Sequence, residues 1–179
     1  MTDEMEDNMI ARTEELTEEK KGPEAIQEAT ELTQIDPKDA IAWFMNGKAH
    51  YINNEYDDAL ASFSKAAQID KENPQIWHMM GYCLITLNRF DEAEQALLYV
   101  QSMQPQNTEA VCALGICQII QNKPKEGKKT IDSALALDKR TTIMMLENFQ
   151  EKYFATSKEV KSGTMAMIER VLETVKLMP

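Results

Sequence analysis

A fixed 34-residue period runs through the middle of the chain and constrains its fold more than any single motif. Laid over one another, residues 40–73, 74–107 and 108–141 align Trp43 with Trp77 and Val111, Asn46 with Met80 and Leu114, and Gly47 with Gly81 and Gly115. The same offset aligns Asn54, Asn88 and Asn122, then Ala59, Ala93 and Gly127. It also aligns Phe63 with Leu97 and Ile131, and Ala66 with Val100 and Ala134, with no slippage across the three copies. A repeat of this length is one supersecondary unit that cannot bury its apolar face alone. Neighbouring copies must stack to make a continuous core.

Each copy reads as two helices. The first runs from about Ala40 to Ile52, with Trp43, Gly47 and His50 on its apolar face. The Asn at 54, 88 or 122 suits the end of that helix, because Asn tolerates the left-handed conformation. The second helix opens with acids, "DDA" at 57–59 and "DEA" at 91–93, which complement the helix dipole. Ala59, Phe63 and Ala66 then continue an apolar face at spacings of four and three. A helix-interior Gly costs about 1 kcal/mol relative to Ala, so its recurrence at 47, 81 and 115 needs a reason. The expected reason is a close crossing, in which the Gly faces the small residue at 59, 93 or 127 and the Trp fills the wider gap beside it. Composition agrees, since Ala, Glu, Leu, Lys, Gln and Met dominate, with only six Gly and six Pro.

The residues carrying this grammar resemble the tetratricopeptide repeat, whose pattern is W-x2-L-G-x2-Y, then A-x3-F, A and P. The chain shows it as Trp43, Asn46, Gly47, Ala59, Phe63 and Ala66, and again as Trp77, Met80, Gly81, Ala93 and Leu97. His50, Leu84 and Gln118 depart from it at the aromatic place; Pro105 keeps the final proline, which Lys71 and Lys139 replace elsewhere. The resemblance implies an all-α fold: a right-handed superhelix of antiparallel helix pairs, closed by a C-terminal capping helix.

The period extends in both directions. Residues 1–39 form a degenerate, acidic helix pair, with Ala25, Ala29, Leu32 and Pro37 on the second-helix pattern and a first helix over Glu6–Lys21 that has Thr13 where Gly belongs. Residues 40–73, 74–107 and 108–141 are three repeats, and 142–179 a capping helix pair. Phe149 takes the Gly place after 141, which ends the close-crossing grammar; residues 142–154 read as one further helix. "TSKE" at 156–159 is a capping box for a last helix whose apolar stripe is Met165, Ile168, Val171, Leu172 and Val175.

Function classes narrow by exclusion. The net charge is −11, and residues 1–36 carry −9 of it, which argues against nucleic acid and anionic lipid as partners. The acidic start does not fit a secretory signal, and no apolar run is long enough for a membrane helix, so a cytoplasmic protein is expected. Cys83, Cys112 and Cys117 lack metal-ligand spacing and read as small buried side chains; no metal and no cofactor are expected. Asp57 and Asp58 point to different helix faces, His50 reads as a packing residue, and no phosphate loop or nucleophile elbow is present, so no enzyme is expected.

The family resemblance implies that the first helices line a concave groove for a peptide or partner helix. The candidate face comprises Phe44, Lys48 and Tyr51, then His78, Tyr82 and Ile85, then Cys112, Ile116 and Ile119. Its apolar character fits either an aromatic-anchored partner or packing against the chain's own terminal helices. Family members that clamp the acidic tails of heat-shock chaperones use Lys, Asn and Arg side chains. The corresponding places here hold Phe44, Lys48, Met79, Glu109 and Ala113, with one base among them, so that tail is not expected to bind. The expected function is a protein-interaction adaptor. The alternatives are a dedicated chaperone for a specific client, such as a secretion substrate, and a groove occluded by the terminal helix.

Overall fold

A computed structural model describes residues 2–156, 166 and 168–173, and no strand occurs among them. The helices are α1 (Thr2–Glu18), α2 (Gly22–Ile35), α3 (Ala40–Ile52), α4 (Tyr56–Ile69), α5 (Pro74–Thr86), α6 (Phe90–Met103), α7 (Thr108–Ile120), α8 (Pro124–Leu137) and α9 (Lys139–Thr156). They fall into two compact units, one ending at Asn88 and the other beginning at Arg89, so the division lies inside the second copy. In the first unit α1 packs on α2, α2 on α3, α3 on α4 and α4 on α5. In the second, α6 packs on α7, α7 on α8, and α9 on both α7 and α8.

The helix ends repeat as the sequence does. α3, α5 and α7 are capped by Asp39, Asn73 and Asn107, whose side chains accept from the backbone N–H groups of Ile41 and Ala42, of Gln75, and of Ala110. The turn into each second helix is made by one residue in the left-handed region: Lys20 at φ 58°, Asn54 at 64°, Asn88 at 59° and Asn122 at 63°. Three of the four are Asn, the residue other than Gly that enters this region at least cost. Lys20 at the same place ends α1 at Glu18, earlier than the Lys21 that periodicity suggested.

The close crossings take two forms. A Cβ at Gly47 would lie 2.6 Å from the Phe63 ring, so in the first copy the glycine makes room for the aromatic at 63, whereas sequence spacing had placed it against Ala59. In the third copy the backbones themselves meet. A Cβ at Gly115 would lie 3.1 Å from the Gly127 carbonyl oxygen, and one at Gly127 would lie 2.8 Å from that of Gly115. α1 has no such crossing: Thr13 is buried at the glycine place, its hydroxyl donating to the Met9 carbonyl at 2.8 Å.

The tryptophans are not the core filler expected of them. Trp43 and Trp77 are half-buried, and each reaches back over the preceding turn, where the indole N–H donates to the carbonyl of Pro37 at 2.9 Å or of Lys71 at 2.8 Å. The Lys65 ammonium sits 3.8 Å from the centre of the Trp43 ring, a cation–π contact. An indole N–H needs a partner, and a turn carbonyl at the helix edge supplies one that the apolar interior cannot. The interior is filled instead by residues such as Met45, Phe63 and Ile76 in the first unit, and Leu97, Leu114 and Ile131 in the second.

Polar ties cross the helices within each unit. Asn46, at the place of Met80 and Leu114, accepts from Ser62 at 2.7 Å and donates to Thr30 at 3.2 Å, joining α2, α3 and α4. In the second unit Gln118 accepts from Thr130 at 2.7 Å and donates to Glu94 at 3.4 Å, while Lys123 pairs with Glu94 at 2.7 Å. Partial burial works to raise the Glu94 carboxyl, but Lys123, Gln118 and Gln121 outweigh it and hold the group below the usual range.

At the C-terminal side, α9 begins at Lys139, ahead of the expected 142, because Asp138 accepts from both the backbone N–H and the hydroxyl of Thr141. Helical residues 168–173 bury Ile168, Val171 and Leu172, three of the five stripe positions, and Gln150 donates to Glu169 at 3.5 Å. Ser157 to Glu159 of the proposed cap, with Met165 and Val175, lie outside the described residues.

Three outcomes test this packing. Gly127→Ala should lower the melting temperature although Ala is the better helix former, because the new methyl meets backbone and overpacking costs about 1–3 kcal/mol; an unchanged or raised value contradicts the crossing. Denaturant titration should show Phe63→Ala costing about 3–5 kcal/mol and Trp43→Phe only about 0.5–1.5 kcal/mol, the loss of one hydrogen bond. The lowered Glu94 carboxyl contributes stability above its unfolded value and loses it as pH falls through the folded value. Glu94→Gln should therefore flatten the decline of melting temperature below about pH 4.5.

Candidate partner-binding face

α3 presents Phe44, Lys48 and Tyr51, and α5 presents His78 and Tyr82, and these two helices also touch within the first unit. All five side chains are half-buried. Phe44 rests on a core of Ala25, Ala29, Met45 and Ala49, flanked by Ile10, Leu16, Ile26 and Ile52, with its ring 5.6 Å from that of Phe63. The Lys48 ammonium stands 5.9 Å from the Phe44 ring. Tyr51 meets Tyr56 edge-on at 5.4 Å, and burial pushes its phenol up to about 12, so it remains a neutral hydroxyl at physiological pH. His78 and Tyr82 pack ring against ring at 4.7 Å. The result is an aromatic face with a charged or polar head at Lys48 and His78.

The other candidates lie deeper. Ile85 is 7% exposed, and in the third copy Cys112, Ile116 and Ile119 are 0%, 3% and 2% exposed. The Cys112 thiol lies 4.0 Å from the Thr142 carbonyl of α9, the helix that packs on α7. Burial pushes the Cys112 and Cys117 thiols up to about 12, which removes thiolate chemistry from both. Phe44, Lys48, Tyr51, His78 and Tyr82 thus keep solvent contact, while Ile85 and the third-copy residues are covered.

One constellation was missed by the sequence reading. His50, taken as a packing residue, is half-buried with Nδ1 2.6 Å from a Glu55 carboxylate oxygen. The signal was present in the alignment: Glu55 stands where the other copies carry the bases Arg89 and Lys123.

Two family models, both described as tetratricopeptide repeat, match residues 21–74 and 50–100. No curated protein matches significantly. Among solved structures, YrrB, titled "a TPR protein with an unusual peptide-binding site", is 19% identical over 92% of this chain and 84% of its own, with a TM-score of 0.69. PilF of Pseudomonas aeruginosa is 19% identical over 99% of this chain and 79% of its own, with a TM-score of 0.73. The first TPR of Spaghetti (RPAP3), solved with the HSP90 peptide SRMEEVD, is 17% identical over 79% of this chain and 93% of its own, with a TM-score of 0.56. No helix among the described residues is long and apolar enough to cross a membrane. The 34-residue period, the helix pairs it generates and these matches agree, and the chain is a tetratricopeptide repeat protein with the all-α solenoid fold of that family.

Proposed function

We propose that this chain is a non-enzymatic protein-interaction adaptor that docks a peptide or helix of a partner on the α3–α5 face. Tetratricopeptide repeat proteins generally serve as scaffolds, and solved relatives of this fold include peptide-binding members. The observation that carries the reading is the half-open aromatic surface of Phe44, Tyr51, His78 and Tyr82 with Lys48 beside it, in contrast to the buried equivalents Cys112, Ile116 and Ile119. Aromatic side chains held on rigid helices give large contact area at low entropic cost, which suits anchoring residues of a partner. Lys48 and His78 favour an acidic flank on the ligand. Lys48 alone does not make the multi-base clamp that grips a chaperone's carboxylate tail, so the partner is read as one that inserts apolar or aromatic side chains.

Partners captured on the immobilised full chain and identified by mass spectrometry test the proposal. A Phe44→Ala, Tyr82→Ala double variant, verified as helical by circular dichroism, should lose the specific partner, each truncation costing about 2 kcal/mol or more. Lys48→Glu, likewise verified as folded, should weaken the same partner. Retention of every partner by both variants at native affinity overturns the assignment.

A further inference from the structure

The first copy differs from the other two at the corner between its helices. The turn at Asn54 sends the chain back so that the Glu55 N–H donates to the His50 carbonyl at 3.0 Å. This return sets the Glu55 carboxylate against the His50 ring at 2.6 Å, and the Asn53 amide donates to its second oxygen at 2.7 Å, fixing its direction. Asp58, in the first turn of α4, completes the group: one donor atom each from His50, Glu55 and Asp58 lie within 4.8 Å of one another.

The same corner is neutralised differently elsewhere. In the second copy Arg89 stands at the place of Glu55 and pairs with Glu92, at the place of Asp58, through two hydrogen bonds of 2.6 and 2.7 Å. In the third, Lys123 stands there and feels the field of Glu126, at the place of Asp58. In the first copy the base has become an acid, and the residues at the neighbouring place, Leu84 and Gln118 in the other copies, have become an imidazole. Two carboxylates so close repel unless a cation lies between them. The other copies bring that cation on their own side chain.

We propose that His50, Glu55 and Asp58 bind a divalent transition-metal ion of borderline softness, Zn2+ being the representative, at the corner between α3 and α4. One imidazole nitrogen and two carboxylate oxygens suit such an ion, whereas Ca2+ and Mg2+ prefer all-oxygen sets. Bonds of about 2.0–2.2 Å set the donor atoms a little over 3 Å apart, so exposed Asp58 draws in by a rotamer adjustment while the ion replaces the His50–Glu55 hydrogen bond and opens that pair from 2.6 Å. Asn53 supports the Glu55 ligand from behind, as outer partners of metal-binding carboxylates do. Water fills the remaining positions.

Isothermal titration of the full chain with ZnCl2 in chelator-free buffer tests this. One ion should bind per chain, more tightly than Mg2+. His50→Leu and Glu55→Arg, which install the second copy's own residues, should each weaken binding by about tenfold or more, as should Asp58→Asn at a solvent-exposed position where folding is unaffected. His78→Gln should leave it unchanged. Absence of binding up to about 1 mM overturns the proposal. So does zinc uptake that persists in all three variants, which marks adventitious binding to other acids, and so does equal affinity for Mg2+, which marks a diffuse acidic patch.

Discussion

A methyl group added at Gly127 would lie 2.8 Å from the carbonyl oxygen of Gly115, and one added at Gly47 would lie 2.6 Å from the ring of Phe63. These distances define how closely the first and second helices of a copy approach, and the rest of each unit follows from that approach. Once the axes are close, the residues at 63, 97 and 131 are fully enclosed, and the small residues at 59, 66, 93 and 134 line the seam. The adjoining face of the first helix lies at the edge of that crossing, where Phe44 and Tyr51 still touch Phe63 and Tyr56 of α4 yet keep part of their surface uncovered. The candidate face is thus a by-product of the crossing: it consists of positions that the glycine-centred packing covers only in part.

What becomes of that face differs between the copies. In the third copy α7 is almost wholly buried, and its face carries Cys112, Ile116 and Ile119 against a unit that includes α9. In the first unit the corresponding places hold Phe44, Lys48, Tyr51, His78 and Tyr82, larger and more polar, and they retain solvent contact. Side chains that combine an apolar body with a polar tip tolerate both states, wet when alone and dry when covered.

The copies also diverge in how they treat polarity between helices. Asn46 with Thr30 and Ser62, and Gln118 with Glu94 and Thr130, place hydrogen bonds where the second copy has Met80 and Leu84. A partly buried polar group tolerates only arrangements in which its partner is present, so these ties oppose sliding of one helix along another. The corner of His50, Glu55 and Asp58 is a further departure of this kind, in which a base common to the other copies gives way to an acid.

Most of the fold is legible in the amino-acid sequence alone. The period located the helices, α3 at Ala40–Ile52 among them, because packing constraints recur with each copy and leave the same small and apolar residues behind. The left-handed turns at Asn54, Asn88 and Asn122 were legible for the same reason, since few residues other than Gly enter that conformation cheaply. Tertiary structure decided matters that spacing along one helix does not encode. It paired Gly47 with Phe63 instead of Ala59, set the tryptophans over turn carbonyls at the helix edge, and brought His50 round a tight turn onto Glu55. It also separated the candidate face into accessible and buried residues, because burial depends on which other helix arrives, and the helix that meets Cys112 begins 27 residues further along the chain, at Lys139. Periodicity reports what each residue must be compatible with in its own copy; which neighbour it finally touches is settled by the packing of distant segments.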